Sequence, residues 1–460
     1  MLNGVVSRLK SFATSMWGEF ESREELQKFL FLGAIFGLII GSYWAFRPIK
    51  DSIFAAIVGV DWQPRAKWLS LLIIVPLVII YSKLIDMFPR QKLFYVLTVF
   101  YGIASLVFAY YLSHPVYGLP NTTTDSTRII GWLWYVFVES FGSLIVALFW
   151  AITVDITPED SARRGFPIIA LLGQMGNIFG PYFLRAKRLG FANSSPIIAI
   201  VGVFCFGMAF LMWLFLKTTP KRQLKGFESK DTAAKREGEE PGFWEGLKLL
   251  LTQPYLLGIF LVVSIYEVIV TIFDFLLKAM SKAAFPIEID HAEYLNNYAV
   301  MTGVVATLCV IFGINNIQRK MGMTASLVLM PLLVGTAVFV LYADPSLSIV
   351  FWIMVIAKAV NYALNQPTLK QLYIPTSTDT KYKSQAWIEM FGSRGSKAAG
   401  SYINDYRGLF IKNQGYLDGA AWFIVVSSVI SLGLIGVWFF IAVYVARTYN
   451  TAIKRKEVIC

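Results

Sequence analysis

The chain is poor in charge, in cysteine and in histidine. Asp, Glu, Lys and Arg make up 15% of its 460 residues, against about 25% for a soluble domain that must cover its surface with polar groups. That shortage excludes an ordinary water-soluble fold. The 3 cysteines, Cys205, Cys309 and Cys460, stand far apart, and two of them lie in apolar runs. They supply neither a disulfide framework nor a metal cluster. The 2 histidines, His114 and His291, both fall in expected connectors, which argues against a histidine-ligated metal or a histidine proton relay. No nucleophile stands with a base in a catalytic motif, so the chain does not read as an enzyme, and no metal or cofactor is expected. Residues 1–28 lack the short apolar core and small-residue cleavage site of a secretory signal. Glu19, Glu21, Glu24 and Glu25 also set this stretch apart from a transit peptide, and it reads as an amphipathic lead-in.

What is abundant is apolar surface. Hydrophobic residues make up 56% of the chain, and the mean hydropathy is +0.59. Apolar runs near 29–57, 67–86, 92–112, 129–154, 166–184 and 196–216, then 254–281, 294–314, 322–342, 347–374, 386–403 and 420–446 are long enough to cross a hydrocarbon core, which takes roughly 20 helical residues. The expected fold is therefore an all-α membrane protein with about twelve transmembrane helices. Two six-helix halves, 29–216 and 244–446, are joined by a charged linker, 217–243, and followed by a basic tail, 447–460. The fifth and eleventh spans are rich in Gly and small polar residues, which suits helices packed closely inside a bundle. The formal charge of +12 lies in short connectors rather than along one face, so it sets membrane orientation rather than binding nucleic acid. Lys83, Arg90, Lys92, Arg163, Arg164, Arg319, Lys320, Lys454, Arg455 and Lys456 gather on the side of the termini, which places both termini in the cytoplasm.

One internal likeness relates the halves. Ile156-Thr157-Pro158 leads through Arg163 and Arg164 to Gly173, Gly176 and Gly180, and Ile374-Pro375-Thr376 leads through Lys381 and Lys383 to Gly392, Gly395 and Gly400. Parallel six-helix halves are the plan of major-facilitator-type transporters, which hold cargo between the halves near the midplane.

Ionisable groups inside spans are costly and mark functional sites by default. Lys50 and Arg47 lie in the first span, Glu139 in the fourth, Glu267 in the seventh and Lys370 in the tenth. Asp274, Lys278, Lys358, Arg394 and Lys397 lie in the seventh, tenth and eleventh. Arg47, Lys278 and Lys358 have a plain alternative, since long cationic side chains snorkel to the interface. A carboxylate such as Glu139 or Glu267 is too short for that. Spans one, four, seven and ten line the central cavity of a major-facilitator fold, so basic groups from Lys50, Lys370, Arg394 and Arg47 would face two carboxylates. That balance suits a polyanion, with Arg as a fork and Lys as a point charge for phosphate oxygens. Tyr43, Trp44, Trp150, Tyr266 and Tyr362 are candidates to stack on a base. The run Gly392-Ser-Arg-Gly-Ser-Lys397 lacks Walker spacing and a preceding strand and reads as a close-packed helix.

Several motifs, taken in order, resemble the non-mitochondrial ATP/ADP translocase (nucleotide transporter) family of intracellular bacteria and plastids. They are Arg47-Pro48-Ile49-Lys50-Asp51-Ser52, then Tyr135-Val136-Phe137-Val138-Glu139-Ser140-Phe141-Gly142-Ser143, Phe149-Trp150 and Ile156-Thr157-Pro158. Glu267, Pro367-Thr368-Leu369-Lys370-Gln371-Leu372-Tyr373-Ile374-Pro375 and Gly392-Ser393-Arg394 follow in the second half, so the likeness spans nearly the whole chain. The resemblance implies ATP/ADP exchange across a bacterial inner membrane, with the lipid bilayer and a nucleotide (ATP, ADP or a related one) as partners and no obligate protein partner. The family's four intramembrane charges match Lys50, Glu139, Glu267 and Lys370. The chain departs from the family at Val154, where the family has Asn, at Val270-Thr271, where it has Trp-Lys, and at Gln371, where it has Glu. These departures leave open a different nucleotide or proton-coupled import. A major-facilitator permease for another organic anion or a peptide, and a non-transporting receptor or scaffold, are the readings from other classes.

Overall fold

The computed structural model describes residues 20, 22–224, 243–312, 316–377, 384–385, 387–388 and 392–459. Most of the lead-in, the linker from 225 to 242, and Lys381 and Lys383 lie outside the described residues.

Long apolar stretches fold into long helices because only a helix satisfies every backbone group within itself in a medium without water. The first half holds α1 (Arg23–Phe54), α2 (Gln63–Met87), α3 (Arg90–Ser113), α4 (Ile129–Asp155), α5 (Glu159–Phe183) and α6 (Ser195–Thr218). A short helix, Phe243–Thr252, precedes the second half. There follow α7 (Pro254–Ala284), α8 (Glu288–Ile311), α9 (Asn316–Ala343), α10 (Leu347–Gln371), α11 (Ser393–Gln414) and α12 (Tyr416–Arg455). Among the described residues nine helical segments are long and apolar enough to cross a membrane, the first running from α1 into α2. The small-residue helices α5 and α11 are not among them. The eleventh helix lies further along the chain than the run 386–403 indicated, since its Gly and polar residues give hydropathy little to mark. His291 lies in the first turn of α8 rather than in a connector. It is fully buried, with Nε2 3.0 Å from the Ser281 hydroxyl.

Each half has its own apolar core, and the halves repeat one packing plan. In the first, α1 packs on α5, α4 and α6, and α3 on α6; in the second, α7 packs on α11, α10 and α12, and α9 on α12. The two halves meet through α8 against α1 and α5, and through α2 against α11. The seam of α1 and α5 is the tightest. A Cβ on Gly176 would stand 2.2 Å from the Gly37 carbonyl oxygen, and one on Gly180 would stand 2.2 Å from that of Gly41. Only glycine allows such an approach of two backbones, the arrangement expected of small residues in membrane bundles.

Two local breaks shape the interior. After α1 a π-helical turn, Ala55–Gly59, ends on Gly59 at φ 111°, a left-handed conformation that side chains with a Cβ rarely adopt. In α10 a second π-helical turn, Asn361–Asn365, stands just before Pro367. Proline has no N–H to give and its ring crowds the preceding turn, so the backbone widens there.

Candidate functional site

A cavity of about 360 Å³ lies between the halves. It is lined from α1 (Tyr43, Arg47, Lys50), α2 (Lys67, Ser70), α4 (Tyr135, Glu139, Ser143), α7 (Tyr266, Glu267, Asp274, Lys278), α10 (Lys358, Tyr362) and α11 (Arg394, Lys397). The 3.6-residue repeat explains the placement: Arg47 follows Tyr43 by four positions, and Ser143 follows Glu139 by four.

A chain of alternating charge runs along the deep wall. Lys50 Nζ donates to Glu139 Oε1 and lies 3.7 Å from Asp51. Its ammonium stands 4.2 Å from the centre of the Tyr135 ring. Asp51 also accepts from Lys278 at 2.9 Å and from Gln63 at 2.6 Å. Lys278 reaches Asp274, one turn earlier in α7, at 2.6 Å, and Asp274 accepts from Lys358 at 2.6 Å. Glu139, Lys50, Asp51, Lys278, Asp274 and Lys358 thus tie α4, α1, α7 and α10 together. Lys50, Asp51, Asp274, Lys278 and Lys358 are all buried. A buried ion persists only when paired and hydrogen-bonded, and the alternation gives each lysine a carboxylate. Nearer the first turn of α11, Glu267 accepts from Ser393 at 3.2 Å and lies 3.7 Å from Lys397. Arg394 donates to the Ser143 hydroxyl across the halves at 3.1 Å. The lining carries seven cations (Arg47, Lys50, Lys67, Lys278, Lys358, Arg394, Lys397) and three carboxylates (Glu139, Glu267, Asp274). With Asp51 behind the wall, the excess is three positive charges.

Of the residues singled out in the sequence, the cavity brings together Lys50, Arg47, Glu139, Glu267, Tyr266 and Arg394. Lys370 and Trp150 are not on its lining. Lys370 is exposed at the end of α10, twelve positions beyond Lys358 and so roughly 18 Å further along the axis at 1.5 Å per residue. Trp150 shares its helical face with Glu139 but lies roughly 16 Å along α4 by the same rise. It packs there with its ring 5.2 Å from Phe36 and 5.4 Å from Phe166. Trp44 stands behind Arg47, whose guanidinium lies 5.0 Å from its ring. Lys278 and Lys358, for which snorkelling was the alternative, are buried and ion-paired instead. Two of the departures from the resembled family, Val270 and Thr271, line the cavity, whereas Val154 and Gln371 do not. No cluster of residues able to hold a metal occurs among the described residues.

Sequence reasoning missed Asp51 and Lys67 as parts of this site. For Lys67 a signal was present: Lys67, Ser70, Leu71 and Ile74 follow the i, i+3, i+4, i+7 pattern of one helical face, and all four line the cavity.

One end of the cavity is closed by polar contacts between the halves. The end of α1, the start of α2, the start of α8 and the end of α11 converge there, opposite the start of α1 and the end of α12. Arg65 holds Asp405 through Nε at 3.1 Å, and Arg407 holds Asp61. Arg185 bonds Glu293 and Asn297, each at 2.6 Å, and Lys187 pairs with Asp290 at 2.8 Å. Glu288 accepts from Ser52 at 2.9 Å and from Ser194 at 2.7 Å.

Known proteins share both the sequence and the architecture. Over 94% of this chain and 95% of its own length, the ADP,ATP carrier protein 1 of Rickettsia prowazekii is 24% identical. The chloroplastic ADP,ATP carrier protein 2 of Arabidopsis thaliana is 25% identical over 94% of this chain and 76% of its length. Among solved structures, a bacterial homologue of the human lysosomal transporter Spinster superposes with a TM-score of 0.60 at 14% identity, covering 94% of this chain and 99% of that one. The nucleoside transporter NupG superposes at 0.56 and 13% identity, covering 91% and 99%. These likenesses show the major-facilitator-like fold. The model of the TLC ATP/ADP transporter family matches residues 5–344 and 343–449. The chain belongs to the TLC ATP/ADP transporter family.

Proposed function

We propose that the protein exchanges ATP for ADP across a bacterial inner membrane by alternating access, with both termini in the cytoplasm. The observation that carries this reading is the central cavity, where seven cations meet four carboxylates, Asp51 included. A nucleoside di- or triphosphate would neutralise that excess. Lys50, Arg47 and Arg394 face the phosphates, Tyr43, Tyr266 and Tyr362 offer rings to the base, and Glu139 and Glu267 balance the cations between cargo visits. The names of the carrier relatives in Rickettsia and Arabidopsis agree with this cargo. The Lys and Arg of the connectors support the orientation. With the far end held shut, cargo arrives from the side of the termini, where Lys370 stands at the mouth and serves capture rather than the deep site.

Uptake of radiolabelled ATP into liposomes holding the purified protein tests this. ATP should enter liposomes preloaded with ADP and stay outside empty ones. Uptake into empty liposomes under a pH gradient would replace exchange with proton-coupled import. No nucleotide uptake by folded protein would turn the reading to another organic anion.

A further inference from the structure

We infer that Lys67 is a cargo ligand: α2 presents its ammonium to the polyphosphate of the nucleotide at the deep end of the cavity. The inference rests on the nucleotide-exchange reading and deepens it. It starts from how the cavity cations are partnered. Lys50, Lys278, Lys358 and Lys397 each have a carboxylate within 4.0 Å. Of the rest, Arg47 leans on the Trp44 ring and Arg394 on the Ser143 hydroxyl. Lys67 lines the cavity and, among the described residues, makes no hydrogen bond, ion pair or ring contact.

Its electrostatic neighbours explain why that matters. They are Lys278 and Lys50, with Asp274 and Asp51. Both carboxylates are already shared, Asp51 between Lys50 and Lys278 and Asp274 between Lys278 and Lys358. Lys67 is thus a fourth ammonium beside two carboxylates that already serve Lys50, Lys278 and Lys358, attracted by both, paired with neither, and repelled by Lys278 and Lys50. A visiting polyanion is the partner that would offset it. A lysine is suited to that work, since its compact charge on a flexible stem can follow a phosphate group that moves. Lys67 belongs to the first half, whereas Arg394 and Lys397 belong to the second, so a polyphosphate held by all three would draw the halves onto one ligand.

Equilibrium binding to the purified full chain tests this, with ATP, ADP, AMP and tripolyphosphate as probes on wild type, Lys67→Gln and Lys67→Arg. Lys67→Gln should weaken ATP about tenfold or more and AMP by less than about threefold, the scale of one charge-assisted contact, and Lys67→Arg should restore most of the loss. Should the glutamine variant not purify as a folded monodisperse protein, Lys67→Met serves the same comparison. Unchanged ATP affinity in the neutral variants, with wild type binding nucleotides, would overturn the role of Lys67 and leave nucleotide exchange standing. Tripolyphosphate binding that depends on Lys67, without nucleotide binding by wild type, would remove the nucleotide and keep Lys67 as a polyphosphate ligand. Wild type binding none of the four would remove both.

Discussion

Asp51 of α1 and Lys278 of α7 form an ion pair of 2.9 Å that joins the two halves on the inner side of the closed end. Lys278 also faces the cavity, so the last link of the closure is within reach of cargo. A phosphate that drew Lys278 away from Asp51 would loosen the halves from inside, and this gives occupancy a physical route to the gate, since cargo must interact differently with the two states to shift them.

The pair should behave as a unit. Asp51→Asn and Lys278→Gln should each lower the thermal midpoint in detergent, and the double variant should lose less than the sum. A coupling of about 1–3 kcal/mol is expected for a buried pair whose members keep other partners. Strictly additive losses would show that the two residues do not support each other.

Arg407 is buried against Asp61 and Tyr416 at the closed end. Arg407→Gln should therefore shift the population toward opening there. In a chain whose three native cysteines are replaced by alanine, a cysteine in place of Ser70 on the cavity wall should react several-fold faster with an impermeant maleimide added from that end. Equal labelling with and without Arg407→Gln would mean that this contact does not hold the gate.

The four charges that the resemblance singles out divide by position. Lys50→Gln should weaken nucleotide binding roughly tenfold or more, the cost of losing a charge-assisted contact. Glu139→Gln should change affinity little and slow exchange, because Lys50 then loses its nearest countercharge between cargo visits and keeps only Asp51 at 3.7 Å. Lys370→Gln, at the end of α10, should lower the uptake rate while sparing equilibrium affinity. Binding and exchange measured side by side on these variants check the division, and a large affinity loss in Lys370→Gln would bring that residue into the deep site.

Packing gives the last prediction. Gly176→Ala places a methyl 2.2 Å from the Gly37 carbonyl oxygen, whereas Gly436→Ala meets nothing within 4 Å. The first should cost about 1–3 kcal/mol, as overpacking does, and the second should be close to neutral. Thermal unfolding followed by tryptophan fluorescence distinguishes them.

The long apolar helices were legible in the sequence because hydropathy reports the medium directly. Helix α11 was harder to place, since a helix packed against neighbours on several sides needs small residues more than apolar ones. Lys50, Glu139 and Glu267 stood out because a charge in an apolar run is costly wherever it points. The partners of those charges were less visible. Asp51 is next to Lys50 in sequence, yet its bond to Lys278 bridges more than two hundred positions, and no local pattern encodes such a pairing. Lys370 and Trp150 lie off the lining of the cavity, which the sequence did not show for a related reason. Periodicity gives the face of a helix but not the depth at which a cavity ends.

The contacts at the closed end differ in how much water they meet. The Arg65–Asp405 side chains are 54% and 36% exposed and those of Arg407 and Asp61 4% and 45%, whereas those of Lys278 and Asp51 are 9% and 6% exposed. Dissolved ions screen exposed pairs over a Debye length of roughly 8 Å at physiological ionic strength and leave buried ones nearly untouched. The fluid bathing that face therefore acts first on the exposed pairs, Arg65–Asp405 and Lys187–Asp290. Raising the salt on that face should loosen these exposed links while the Asp51–Lys278 pair, buried on both sides, keeps its hold.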